Sequence, residues 1–208
     1  METLRVAKGT VTDLEGFILA GGLSSRMGTD KSRLTLNGVT FTERIASVLA
    51  QVCSSVKVVG RPTDDLGIES TADLVEHWGA LGGLHAALGA CQATWSVVVA
   101  CDLPFVTSDL LAHLASFREG FEAVVPIQEN GFLQPLCAFY RVDPCFPQVD
   151  ELIKTGERRP QVLLEKVRTR RVEFSEIRHL PEASRFFDNI NTPEDYVRAK
   201  LQRTELTI

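Results

Sequence analysis

The sequence predicts an α/β fold, a Rossmann-like three-layer sandwich in which a mainly parallel sheet carries helices on both faces. Short apolar runs alternate with helical patterns from residue 17 to residue 140, and this alternation is typical of βαβ units. The run Val97–Cys101 is apolar at every position, as expected of a central strand covered on both faces. A chain of 208 residues is long enough to bury one such core.

The predicted elements of the first two thirds follow in order. The first strand is Phe17–Ala20, and the Asn37-Gly38 pair predicts a turn after a short extended segment. Thr42 is the predicted cap of a helix that ends near Val52. The later predicted elements are strands at Val56–Val59, Val97–Cys101, Ala123–Val125 and Leu136–Tyr140, and helices at Leu81–Cys91 and from a Ser108-Asp109 cap to Phe117.

The last third has a weaker pattern, because four prolines are predicted to break it into short pieces: Pro144, Pro147, Pro160 and Pro181. An amphipathic piece covers Val162–Val167, and Thr192 is the predicted cap of a final helix that begins at Pro193. The arginines of this region either attract an anionic ligand or form a solvated surface; they are Arg158, Arg159, Arg168, Arg170 and Arg171.

Composition narrows the class of protein. The net charge of −5 argues against broad binding of nucleic acid or of a membrane surface. No apolar run approaches the ~20 residues that span a bilayer. The polar segment Met1–Asp13 lacks the apolar core of a signal peptide and is predicted to be a flexible tail. The five cysteines contain no C-x-x-C pair and are expected to be buried and reduced in the cytoplasm.

The segment Phe17–Lys31 is the main functional signal. Its strand stops at Gly21-Gly22, where glycines allow close backbone approach to a ligand and consecutive amides can bind an anion. Arg26 and Lys31 add cations suited to phosphate. The spacing matches neither the P-loop nor G-x-G-x-x-G. The segment therefore predicts a nucleoside triphosphate site that differs from the usual ATPase and dinucleotide motifs.

Asp102 is the second signal, because it follows the central strand directly. The carboxyl ends of parallel strands share one sheet edge, so Asp102 and the glycine loop are predicted to lie together. A carboxylate at this position is a natural Mg²⁺ ligand. Asp73, Asn189 and Asn191 are weaker candidates, since these residue types also occur as ordinary turn and cap residues.

Four segments together resemble the molybdenum cofactor guanylyltransferase family of the nucleotidyltransferases. They are L-A-G-G-x-x-x-R-M-G-x-x-K at Leu19–Lys31, Asp73 with Gly79–Leu84, Cys101–Phe105, and Asn189–Glu194. The resemblance runs from about residue 15 to residue 200. It implies one nucleotidyltransferase domain over residues 14–208, with a nucleotide-binding half at 14–140 and an acceptor-binding half at 141–208.

The resemblance implies a Mg²⁺-dependent reaction in which GMP passes from GTP to molybdopterin, as its molybdenum cofactor. The products are the guanine dinucleotide and diphosphate. Asn189 and Asn191 would lie by the pterin acceptor, and cofactor-synthesis proteins and client molybdoenzymes would be partners. The implied catalytic residues are Arg26, Lys31 and the metal ligand Asp102; the implied GTP contacts are Leu19, Ala20, Gly21, Gly22, Lys31, Asp73 and Asp102.

The sequence leaves two alternative functions open. A cytidylyl- or sugar-type nucleotidyltransferase would share the loop and Asp102. Related cytidylyltransferases carry Leu-Ala-Ala-Gly where this chain has Leu19–Gly22, whereas Gly60-Arg61 stands where the resembled family often has an asparagine against guanine. A non-catalytic adaptor that hands over the cofactor would keep the glycine loop but would not require Asp102.

The substitution Gly21→Ala tests the preference for guanine. We expect it to lower kcat/KM for GTP more than for CTP, because the added methyl group would crowd the backbone approach to the larger purine base. Nucleotide transfer measured with each nucleotide on the wild type and the variant gives the comparison. An equal loss with GTP and CTP would contradict this explanation.

Overall fold

The computed structural model describes residues 13–20, 34–60, 67–72, 74–75 and 78–201. In chain order the strands are β1 (Leu14–Leu19), β2 (Thr35–Leu36), β3 (Val39–Thr40), β4 (Ser55–Val59), β5 (Glu69–Thr71), β6 (Trp95–Ala100), β7 (Ala123–Pro126), β8 (Cys137–Arg141) and β9 (Thr169–Val172). The helices are α1 (Phe41–Leu49), α2 (Gly79–Ala90), α3 (Ser108–Ala115), α4 (Val142–Lys154), α5 (Gln161–Lys166), α6 (Phe174–Ile177) and α7 (Pro193–Leu201).

Seven strands form one sheet in the order β5-β4-β1-β6-β8-β7-β9. Strand β8 runs antiparallel to β6 and β7, and the other pairs are parallel. Strand β1 lies between β4 and β6, so the chain turns to opposite sides of β1 to form its two neighbours. Its carboxyl end is therefore the switch point at which open α/β sheets bind ligands.

Helices cover both faces of the sheet, as predicted. Adjacent residues of β1 point to opposite faces: Ile18 belongs to the apolar cluster under α1 and α3, and Phe17 to the cluster under α2, α4 and α5. Both side chains are fully buried. The α/β prediction is thus confirmed. Within the described ranges, every helix is too short or too polar to cross a bilayer.

Two helix caps differ from the prediction. Helix α1 is capped by Thr40, not Thr42, because Thr40 Oγ1 accepts from the Glu43 amide at 3.1 Å and the Glu43 carboxylate accepts from the Thr40 amide at 2.7 Å. This reciprocal pair satisfies two amides that lack partners within the helix, and it leaves Thr42 buried in the first turn. Helix α3 is capped by Thr107, whose side chain accepts from Leu110 N at 3.2 Å, rather than by the Ser108-Asp109 pair.

The last third is more regular than predicted. Pro144 and Pro147 do not break the chain, since both lie within the 13-residue helix α4. Pro144 occupies the first turn, where its missing amide hydrogen costs nothing. Strand β9 was not predicted, because its Arg170-Arg171 sequence has the polarity of a loop; it is an edge strand paired with β7 alone.

All five cysteines are buried and free, as expected from their positions in apolar segments. Burial raises the pKa of Cys53, Cys91, Cys137 and Cys145 to about 12. These thiols therefore stay protonated at neutral pH and act as small apolar side chains.

Candidate active site

Asp102 lies at the carboxyl edge of the sheet, next to the end of β1. The Cys101 amide donates to the Leu19 carbonyl at 3.1 Å, and the Ala20 amide donates to the Val59 carbonyl at 3.0 Å. These bonds hold three strand ends together at the switch point. The prediction that Asp102 and the start of the glycine loop share one edge is confirmed for Leu19 and Ala20.

Leu19 and Ala20 are both buried, with 6% and 8% of their surfaces exposed. A Cβ at Gly83 would lie 3.3 Å from Leu19 Cδ1, and a Cβ at Gly82 would lie 2.7 Å from Trp78 Cβ. The lack of a side chain at Gly83 therefore lets α2 approach the end of β1 closely, and the lack of one at Gly82 leaves room for Trp78. The role of these glycines in the structure is packing beneath the site.

The remaining predicted nucleotide contacts are Gly21, Gly22, Arg26, Lys31 and Asp73. These five residues lie outside the described part of the chain. Their roles stay predictions.

The C-terminal segment Asn189–Asn191 docks directly on Asp102. The Ile190 amide donates to the Asp102 carbonyl at 3.0 Å, and the Ile190 side chain is 1% exposed in a small cluster with Phe105. Asn189 is exposed, and Asn191 is half-buried. The structure thus brings the predicted acceptor motif and the predicted metal ligand together, although they come from distant parts of the sequence.

A cleft of about 640 Å³ opens beside this junction. The segment after β6 forms one wall, and the loop between β7 and β8 forms a second. The third wall belongs to the C-terminal segment and α7. The residues that line the cleft include Phe105; Gln128 and Asn130; and Arg185, Phe187, Asp188, Asn189, Asp195 and Arg198. Asn191 is not among the lining residues, so Asn189 alone of the two predicted asparagines faces this space.

The carboxylate of Asp195 fixes the segment that carries the asparagines. It accepts from the amides of Asn191 at 3.2 Å and Thr192 at 3.0 Å, while Thr192 Oγ1 accepts from the Asp195 amide at 3.1 Å. This reciprocal cap confirms Thr192 as the start of α7. Hydrogen bonding lowers the pKa of Asp195, and the Thr192 side chain makes the largest contribution.

Arg185 and Phe105 are cleft residues for which the sequence predicted no role of their own. The guanidinium carbon of Arg185 lies 3.8 Å from the centroid of the Phe105 ring. Arg185 Nε also lies 3.7 Å from Asp188 Oδ2. Burial raises the pKa of Asp188, although Arg185 partly offsets this effect. The only sequence signal was that Phe105 follows Asp102 by three positions.

The predicted arginine group is spread over the molecule. Arg158 stacks on Trp78 at 4.7 Å, next to the start of α2. Arg159 pairs with Glu157, and Arg170 pairs with Glu176. Arg168 pairs with Glu122 at the opposite, amino edge of the sheet. These arginines therefore form no single basic patch beside Asp102.

A second cleft, of about 470 Å³, lies at that amino edge. It is lined by Trp95, Arg118 and Asp13 among others. Arg118 stacks on Trp95 at 5.5 Å and lies 3.4 Å from the Asp13 carboxylate. Its charge is thus already compensated, and the predicted candidate Arg168, which also lines this cleft, is paired with Glu122. The carboxyl edge remains the candidate active site.

The described residues contain no group of three or more His, Cys, Asp or Glu side chains that could hold a metal ion. A hard ion that arrives with a phosphate ligand needs only one or two carboxylates, and half-buried Asp102 fits that requirement.

Comparison with known proteins agrees with this geometry. The sequence model of one protein family, the MobA-like NTP transferase domain, matches residues 16–172. A probable molybdenum cofactor guanylyltransferase of Pelotomaculum thermopropionicum is 33% identical over 189 residues, which cover 89% of this chain and 91% of that protein. Another, from Chloroflexus aggregans, is 35% identical over 210 residues, with coverages of 93% and 97%.

A solved structure extends the similarity to the fold. The crystal structure of molybdopterin-guanine dinucleotide biosynthesis protein A from Archaeoglobus fulgidus superposes with a TM-score of 0.78 at 26% sequence identity. The match covers 92% of this chain and 99% of that one. Most of the fold therefore has a counterpart in that protein.

The Asp195 cap gives a pH-dependent prediction. Asp195→Ala should lower the free energy of unfolding by about 0.5–1.5 kcal/mol at neutral pH, because the amides of Asn191 and Thr192 lose their acceptor. The folded-state pKa of Asp195 is lowered, so its contribution is present above about pH 4 and is lost as the pH falls through the folded pKa. Urea unfolding at several pH values measures the difference from the wild type.

Glu194→Ala is the matched control, since Glu194 is an exposed acidic residue in the same helical turn. It should change stability little. A difference between Asp195→Ala and the wild type that persists unchanged in acid would contradict the role of the carboxylate.

Proposed function

Because the chain belongs to the MobA-like NTP transferase family, we propose that it transfers GMP from GTP to molybdopterin, as its molybdenum cofactor. The products are the guanine dinucleotide form and diphosphate. One observation carries the proposal: the Ile190–Asp102 hydrogen bond of 3.0 Å joins the predicted acceptor motif to the predicted metal ligand. The names of relatives at 33% and 35% identity support guanine as the base.

In the proposed reaction a phosphate oxygen of the acceptor attacks the α-phosphorus of GTP. A P–O bond forms at that atom as the bond to the β-phosphate breaks, and diphosphate leaves. The protein has little covalent chemistry to perform, so its work is to position the groups and to neutralise charge. A general base is not required, because a phosphate monoester is already largely anionic at neutral pH.

The proposed roles of the residues follow from their chemistry. Gly21 and Gly22 provide main-chain amides for the triphosphate, and Arg26 and Lys31 provide positive charge. Asp73 contacts the nucleotide. When bound at Asp102, Mg²⁺ supplies charge stabilisation at the phosphate oxygens. Asn189 faces the cleft at this junction and contacts the acceptor, while Asn191 is proposed to support the same segment.

The two halves of the chain would then have separate tasks. Residues 14–140 would bind the nucleotide, and residues 141–208 would bind the acceptor, with the cleft between them. Five free, buried cysteines agree with a reducing compartment, so we place the reaction in the cytoplasm. Cofactor-synthesis proteins and client molybdoenzymes would be its partners there.

The test is incubation with GTP, Mg²⁺ and molybdopterin, followed by detection of diphosphate and of the dinucleotide by mass. We expect Asp102→Asn to lower kcat by about 100-fold or more, since loss of one electrostatic contact to developing charge costs ~10²–10³ in rate. Asp109→Asn is the matched control: it removes the same charge from an exposed position in α3.

Three outcomes would contradict the proposal. A wild-type protein that uses CTP in preference to GTP would be a cytidylyltransferase. A protein that binds GTP and molybdopterin without forming the dinucleotide would be an adaptor. Full activity of Asp102→Asn with Mg²⁺ would remove Asp102 from the catalytic machinery.

A further inference from the structure

Arg185 is held in a fixed position inside the cleft beside Asp102. It ends a single 3₁₀ turn at Ala183–Arg185, and its side chain is 13% exposed. The Phe105 ring supports the guanidinium at 3.8 Å, a stacking arrangement that fixes the plane of the group. Its conformational freedom is therefore already lost before a ligand binds, which favours tight binding.

Two of the three nitrogen atoms of this guanidinium lack a hydrogen-bond acceptor among the described residues. Nε and Nη2 are buried and have no hydrogen-bond partner. Asp188 Oδ2 lies 3.7 Å from Nε, beyond the ~3.2 Å limit of an ordinary N–H···O bond. Buried donors without acceptors are costly. The group is thus a preformed site for an anion with several oxygen atoms.

Two other arginines, Arg198 and Arg159, differ from Arg185 in this respect. Arg198 lines the same cleft, but its side chain is 67% exposed and is solvated beside Asp195. Arg159 makes two hydrogen bonds, of 2.9 and 2.7 Å, to the Glu157 carboxylate. Arg185 is mostly buried and stacked on Phe105, and two of its nitrogens lack acceptors. A phosphate group would supply those acceptors.

The position of Arg185 relative to Asp102 is fixed from two sides. Phe105 follows Asp102 by three residues, within the turn that ends β6. On the other side, Asp188 N donates to the Arg185 carbonyl at 3.0 Å, and Ile190 N donates to the Asp102 carbonyl at 3.0 Å. The guanidinium therefore lies in the cleft wall against Phe105, three residues along the chain from Asp102.

We propose that Arg185 binds the terminal phosphate monoester of the acceptor and holds it for attack on the α-phosphorus. This inference rests on the proposed function. Before the acceptor binds, Asp188 is the counter-ion of Arg185; the phosphate then takes the two vacant donors. Phosphate recognition by Arg185 selects acceptors that carry a phosphate monoester over their dephosphorylated forms.

Steady-state kinetics with varied GTP and varied molybdopterin test this role. Arg185→Gln should raise KM for molybdopterin by about 10- to 100-fold, since hydrogen bonds to charged groups contribute about 1.5–3 kcal/mol, and should leave KM for GTP unchanged. Arg178→Gln is the matched control, because it removes the same charge from an exposed position that does not line the cleft.

Asp188→Asn separates ligand binding from a purely structural role. Removal of the competing carboxylate should lower KM for molybdopterin or leave it unchanged, opposite to the effect of Arg185→Gln. If Arg185 served only to hold Asp188 and Phe105 together, both variants would lower the melting temperature alike and neither would change KM for one substrate alone. That result would overturn the inference.

A titration with phenyl phosphate, followed by phosphorus NMR, measures binding of a phosphate monoester without relying on the transfer reaction. Wild type and Arg178→Gln should bind this probe, and Arg185→Gln should bind it at least about tenfold more weakly. A wild-type protein that binds the probe but forms no dinucleotide would contradict the proposed function and support the Arg185 site. Equal probe binding by both arginine variants would contradict the Arg185 site alone.

Discussion

One main-chain hydrogen bond, from the Ile190 amide to the Asp102 carbonyl, connects the two halves of the candidate site. Asp102 is fixed by the central strand β6, and Ile190 is fixed by burial beside Phe105. Because both partners are held by packing, the bond sets how far Asn189 and Arg185 lie from the end of the sheet. A transfer reaction depends on this distance, since donor and acceptor must meet at one phosphorus atom.

The sheet determines where that junction can form. Strand β1 lies between β4 and β6. The connections that lead to these two neighbours leave β1 in opposite directions, so a ligand can bind between them at the carboxyl end of β1. The close contact of Gly83 with Leu19 keeps α2 tight against this end. The antiparallel strand β8 returns the chain to the amino edge, where α4 begins, and the loop between β7 and β8 becomes a wall of the cleft.

Sequence alone predicted the parts that follow from local pattern. The apolar run Val97–Cys101, followed directly by Asp102, was enough to put Asp102 at the same edge as Leu19, because parallel strands share their direction. The docking of Asn189–Asn191 came only from family resemblance, since no periodicity fixes where residue 190 packs. The Arg185–Phe105 pair and edge strand β9 were missed, because both depend on tertiary contacts that polar, arginine-containing segments do not reveal.

Crystals grown with Mn²⁺ and a GTP analogue that resists cleavage between its α- and β-phosphates would locate the metal by anomalous scattering. Mn²⁺ replaces Mg²⁺ at oxygen ligands. The peak should lie within coordination distance of an Asp102 carboxylate oxygen, about 2.0–2.3 Å, with the α-phosphate facing the cleft that contains Arg185. Metal and nucleotide bound away from Asp102, for example in the cleft of Trp95 and Arg118 at the opposite edge, would contradict the proposed site.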